Sequence, residues 1–251
     1  ERGREALEAG RERGREALQA GRERGREVLE AGRERLADLA ATRPRLRGVS
    51  HQWACVAAAI AGGVLVWRAP SGRATTVALV YAVSLVGLFA MSAVYHRITW
   101  RPSVRRWMRR LDHSMIYVFI AGSVTPVALL VVGGTLGTVL LAVAWGGALV
   151  GVALNLAWID APRALKAAGY VALGWVGVVA LPRIVDVLGV LPTALFLAGG
   201  LFYTAGAVIY ARRRPDPVPS VFGYHELFHA LVILAAAVHF VALAGYVVPR
   251  G

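Results

Sequence analysis

The segment GYHELFHALVILAAAVHF, from Gly223 to Phe240, sets three histidines and a glutamate in a run that otherwise reads as lipid-facing. Ionisable side chains inside a membrane span are costly and by default mark a functional site. His225 and His229 are four residues apart, so on a helix they share one face, about 6 Å from each other. Two imidazoles at that spacing can grip one metal ion. With His96 as a third nitrogen, the fourth tetrahedral position of zinc stays open for water, which is the catalytic rather than the structural pattern. Asp112 is then a partner for that water or an acceptor for an imidazole N–H, and Ser92, one turn before His96, orients that ring. Histidines at a helix end are also ordinary interfacial residues. The elements that carry His96 and Asp112 must therefore bring them to the same place.

Those elements are membrane helices. The chain has 251 residues, 57% of them hydrophobic, and a mean hydropathy of +0.56, too apolar for an ordinary soluble domain. Charge is uneven: residues 1–47 hold 13 Arg and 10 Asp or Glu, whereas residues 48–251 hold 15 basic and 5 acidic groups. From His113 to Ile159 there is no charged Asp, Glu, Lys or Arg, a run long enough for two spans at about 20 residues each. The expected fold is an all-α integral membrane protein, a seven-helix bundle over 48–251 preceded by a charged tail over 1–47. No secretory signal sequence is expected, because the N-terminus is charged where an apolar segment would be required. The single cysteine, Cys55, excludes an internal disulfide.

The spans are expected near 51–67, 74–96, 112–132, 136–158, 164–181, 192–211 and 224–248. Continuous apolar runs, not alternation, imply helices instead of a barrel. Gly147 and Gly151 form a small-xxx-small pair suited to close packing, and Pro126 should bend the third span. The tail repeats with a period of 11 residues, which keeps one face of a helix nearly in line. Such a helix lies on an anionic membrane surface or pairs with a second copy; a solvated, partly frayed helix is the plainer reading, since each Gly costs about 1 kcal/mol against Ala.

Basic residues in the connections give orientation. One side, with Arg43, Arg97, Arg105, Arg163 and Arg212 among others, carries 14; the other, with Arg68, Arg73, Arg183 and Arg250, carries 4. The N-terminus is expected in the cytoplasm and the C-terminus outside. With that topology the second span ends at His96, the third starts at Asp112 and the seventh starts with His225 and His229, all on the cytoplasmic side. His239 lies about 15 Å further along its helix and is read as a polar lining or buried hydrogen bond. His113 is read as structural, His51 as interfacial, and Glu226 as the partner of an Arg in the loop before the seventh span.

SAVYHR (92–97), LDHSMIYVFIAGSVTP (111–126) and the Gly223–Phe240 segment, together with GGLFYTAGAVIY (199–210), resemble the motifs of the hemolysin III family. That family is the bacterial branch of the progestin and adipoQ receptors. The resemblance covers roughly residues 48–248. It implies a seven-helix bundle with a cytoplasmic N-terminus, zinc held by His96, His225 and His229, Asp112 beside the zinc-bound water, and Ser92 as the serine of the second-helix motif. His113 stands where the receptors usually have an aromatic residue. The related receptors and the similar alkaline ceramidases are linked to hydrolysis of a lipid amide.

The leading expectation is a zinc-dependent intramembrane hydrolase of a lipid amide or ester, located in the plasma membrane, with Asp112 as base. The alternative is a non-enzymatic sensor or pore former with a structural zinc. Bis-histidine haem binding through His225 and His239 is a third reading, but it needs further mid-membrane histidines. Expected partners are a membrane lipid, as substrate or bound ligand, and a second copy of the chain; nucleic acid is not expected.

Overall fold

The computed structural model describes residues 18–19, 21–26, 28–30, 32 and 44–251. The chain divides into two units, Glu1–Pro44 and Arg45–Gly251. The described residues between 18 and 32 are helical, and Leu18 and Leu29 are exposed; the rest of the repeat lies outside the described residues.

The second unit consists of α1 (Val49–Trp67), α2 (Gly72–Arg97), α3 (Pro102–Val127), α4 (Gly134–Ala157), α5 (Arg163–Gly174), α6 (Leu181–Leu188), α7 (Val190–Arg212) and α8 (Tyr224–Ala242). A π-helical turn, Ala128–Val132, extends α3. A second one, Leu243–Val247, extends α8, and a 3₁₀ stretch, Trp175–Ala180, joins α5 to α6. Seven helices result that are long and apolar enough to cross a membrane, with α5 and α6 sharing the fifth, Arg163–Leu188. The protein is thus a multi-pass membrane protein. No strand occurs among the described residues, which carry one isolated bridge between Val218 and Phe222.

Two boundaries differ from the sequence expectation. The third span begins at Pro102, ten residues before Asp112, so Arg105, Arg106, Arg109 and Arg110 lie on α3 and not in a loop. Proline is preorganised for the first helical turn, and Arg is a good helix former. A span of 31 residues is about 46 Å long, well beyond a hydrocarbon core of about 30 Å. The arginine-bearing turns therefore project past the apolar layer. The fifth span continues to Leu188 because the 3₁₀ stretch hands the chain to α6, whose first turn accommodates Pro182.

Neighbours in sequence pack as neighbours in space: α1 on α2, α2 on α3, α3 on α4, and α7 on α8, with α8 returning to α1 and α5 lying against α3 and α7. The inner seam holds Val77, Tyr81, Leu243 and Val247. The outside remains apolar, with Trp53, Ile60, Val83, Leu149 and Leu201 exposed, as a lipid-facing surface requires. The Gly147–Gly151 pair does pack closely. A Cβ at Gly147 would stand 2.4 Å from Leu173, and one at Gly151 would stand 2.5 Å from the Tyr117 ring. Gly169 receives the hydroxyl of the same tyrosine at 2.5 Å from its would-be Cβ, so Tyr117 is held between glycines of α4 and α5. The helix runs through Pro126 and becomes π-helical two residues later.

Candidate metal centre

Two helix ends and the third turn of a third helix build the site. α2 ends one residue after His96, α8 begins one residue before His225, and Asp112 lies in the third turn of α3. The start of α8 is fixed from several directions. The Gly223 N–H donates to Glu226 Oε2 at 2.9 Å, and the Tyr224 N–H donates to Asp216 Oδ1 at 2.7 Å. Arg47 Nε donates to Glu226 Oε1. Glu226, expected to pair with an arginine of the loop before α8, therefore pairs with the segment ahead of α1. That segment is itself tied down, because Arg45 N–H donates to Ser220 O at 3.0 Å and Leu46 N–H to Val221 O at 3.2 Å. The loop arginines were the nearer candidates along the chain, whereas the backbone pairing of 45–46 with 220–221 brings Arg47 over the helix start.

The three expected ligands come together. One nitrogen from each of His96, His225 and His229 lies within 4.8 Å of the others, and His96 Nε2 is 3.2 Å from His225 Nε2. Tetrahedral zinc with Zn–N distances of about 2.0–2.1 Å would set its nitrogens about 3.3–3.4 Å apart. The closest pair already stands near that separation, and an all-imidazole donor set suits zinc. The residues present fit the ion. Asp112 Oδ2 lies 3.9 Å from His96 Nε2 and 3.5 Å from His113 Nδ1, at the edge of the triad and outside it.

His51 differs from the expectation. It is buried, at 3% exposure, not interfacial. Its ring stacks on that of His229, with centroids 3.8 Å apart and planes 13° from parallel. Its Nδ1 stands 2.7 Å from Ser92 Oγ. The hydrogen bond expected to steer His96 from Ser92 is thus directed to His51. The position was misread because three basic residues precede α1 and make its start look like a membrane surface. The available signal was an ionisable residue inside a span that is otherwise free of them.

The remaining histidines are accounted for. His113 Nε2 pairs with Tyr210 Oη at 3.2 Å, and its carbonyl accepts from Tyr170 Oη at 3.3 Å. Its ring thereby forms part of the wall beside Asp112. His239 Nε2 donates to Phe196 O at 3.0 Å, as a buried hydrogen bond was expected to do. The close approach depends on Gly199, where a Cβ would meet the imidazole at 2.1 Å.

A cavity of about 130 Å³ with mostly apolar walls runs from this centre into the bundle. Asp112, His225 and His229 line it near the helix ends, and Trp175, Tyr203 and His239 line it deeper in. Hydrogen bonding between Trp175 Nε1 and Thr204 Oγ1, at 2.9 Å, bridges the 3₁₀ stretch to α7 along its wall. The arrangement joins a nitrogen donor set and a carboxylate to an apolar space.

Comparison with known proteins agrees with this architecture. The family described as Haemolysin-III related matches residues 39–240. The chain is 33% identical over 172 residues to Hemolysin-3 of Bacillus cereus, covering 68% of this chain and 74% of that protein. It is 29% identical over 169 residues to the Hemolysin-3 homolog of Bacillus subtilis (strain 168), covering 67% and 76%. It is 35% identical over 183 residues to the heptahelical transmembrane protein ADIPOR2 of rice, Oryza sativa subsp. japonica, covering 66% and 79%.

Proposed function

The chain belongs to the haemolysin III family, within the progestin and adipoQ receptor superfamily, and on that premise we propose that it is a zinc-dependent hydrolase of a lipid amide or ester. The observation that carries this reading is a cavity whose mostly apolar walls include His225, His229 and Asp112. A metal that only tied helices together would need no such space; an acyl substrate does.

His96, His225 and His229 would hold the ion. When bound, zinc supplies a Lewis acid that polarises a carbonyl and brings the pKa of water toward neutrality. Asp112 Oδ2 accepts a proton from the attacking water and passes it to the leaving amine or alcohol, so that water and the lipid amide or ester yield a fatty acid and the free amine or alcohol. His113, held by Tyr210, fixes the wall against which that carboxylate sits. The apolar walls take the acyl chain and exclude bulk water from the reacting carbonyl. The count of basic residues supports a cytoplasmic N-terminus, which would put the centre on the cytoplasmic side.

The test is metal content and turnover of purified protein with Asp112→Asn. The variant keeps shape but loses a base whose contribution is of order 10²–10⁴-fold. Retained zinc with lost hydrolysis of a lipid amide is expected. Retained zinc with full hydrolysis removes Asp112 as the base, and a zinc-loaded wild type inert towards lipid amides and esters removes the hydrolase reading. The second reading is a non-enzymatic sensor or pore former with structural zinc. It rests on the names of the Bacillus relatives and predicts no difference between wild type and Asp112→Asn in any lipid assay.

A further inference from the structure

We infer that His51 is a positioning residue of the metal centre, one that fixes the ring of His229 by stacking where such sites ordinarily use a hydrogen bond. The inference rests on the proposed ligand set. A metal-ligating histidine almost always gives its second ring N–H to a carboxylate, a carbonyl or water, and that bond sets the plane of the ring. With Nε2 as its ligating nitrogen, His229 lacks that support among the described residues, since its Nδ1 is buried with no hydrogen-bond partner. What it has is the face of His51, 3.8 Å away and 13° from parallel.

His51 is suited to this role and not to ligation. A lone pair lies in the plane of its imidazole. Two nearly parallel rings 3.8 Å apart cannot both direct a lone pair at one ion, and the three nitrogens that do converge belong to His96, His225 and His229. His51 is itself held, because its Nδ1 is bonded to Ser92 Oγ at 2.7 Å and its ring meets the tilted Phe89 ring at 5.0 Å between centroids. Ser92 is on α2 one turn before His96, so the support for one ligand is tied to the helix that carries another. α1, which contributes no ligand, is thereby joined to the centre.

The test measures Co²⁺ and Zn²⁺ affinity of the full chain in detergent by chelator competition, with the Co²⁺ visible spectrum as a second readout and apo-protein melting as a control for folding. His51→Ala should weaken metal binding about 10–100-fold, the usual cost of losing a group that orients a ligand. His51→Phe keeps an aromatic face and loses the bond to Ser92; it should bind within a few-fold of wild type with an unchanged Co²⁺ spectrum. His51→Asn keeps a polar partner for Ser92 and should be as weak as alanine. Wild-type affinity in His51→Ala overturns the inference, as does rescue by asparagine and not by phenylalanine. A wild type that binds Co²⁺ yet hydrolyses no lipid removes the enzymatic reading and leaves this one standing. A wild type that binds neither ion removes both.

Discussion

At the scale of single residues, the site is a set of specific atoms, and each makes a separate prediction. His225→Ala and His229→Ala should each abolish stoichiometric zinc on metal analysis, whereas His239→Ala should retain it, because His239 Nε2 is engaged by Phe196 O. Arg47→Met should lower thermal stability, since it leaves the Glu226 carboxylate buried at 2% exposure without its cation. Breaking a buried pair costs roughly 3–5 kcal/mol, and the lower end applies because Arg47 keeps some solvent contact. Melting of the double variant Arg47→Met, Glu226→Gln should recover part of the loss. Much of this centre was legible in the sequence. The four-residue spacing of His225 and His229 is local information, and charge counting carried His96 and Asp112 to the same end. The His51 stack was not legible, because it is a contact between α1 and α8 that no spacing along the chain encodes. Glu226 was misassigned for the same kind of reason: its partner is 179 residues away.

At the scale of elements, apolar runs located all seven spans, since burial in lipid leaves hydropathy little freedom. The ends were less legible. The arginines of α3 look like a loop in composition, yet they continue a helix that outgrows the apolar layer. The π-helical and 3₁₀ turns depend on packing that composition does not report. The glycines of α4 allow a clean test of packing. Gly151→Ala would press a methyl into the Tyr117 ring and should destabilise the protein by about 1–3 kcal/mol. Gly146→Ala, with nothing within 4 Å of its Cβ, should be neutral or stabilising by up to about 1 kcal/mol from helix propensity. Thermal melts of the two variants side by side decide it.

At the scale of the whole molecule, the proposed orientation is testable by a reporter fused after Gly251, which should read outside the cytoplasm. A cysteine at Arg105 should be labelled only from the cytoplasmic face; labelling from the opposite face would reverse the topology. Deletion of residues 1–40 should leave folding and zinc content unchanged, because the three histidines of the candidate centre all lie in the second unit. Zinc lost on deletion would mean that the tail supports the centre.

Gly48 precedes α1 with φ of +79°, and a Cβ there would lie 2.6 Å from the Cβ of His96. Both the left-handed backbone and the missing side chain are needed at once. In a library carrying every amino acid at this codon and sorted for metal uptake, survivors at position 48 should be nearly all glycine. The same sorting at Gly63, where nothing lies within 4 Å, should return a broad alphabet. The junction between tail and bundle is thus among the least evolvable points of the chain, although it contributes no atom to the chemistry.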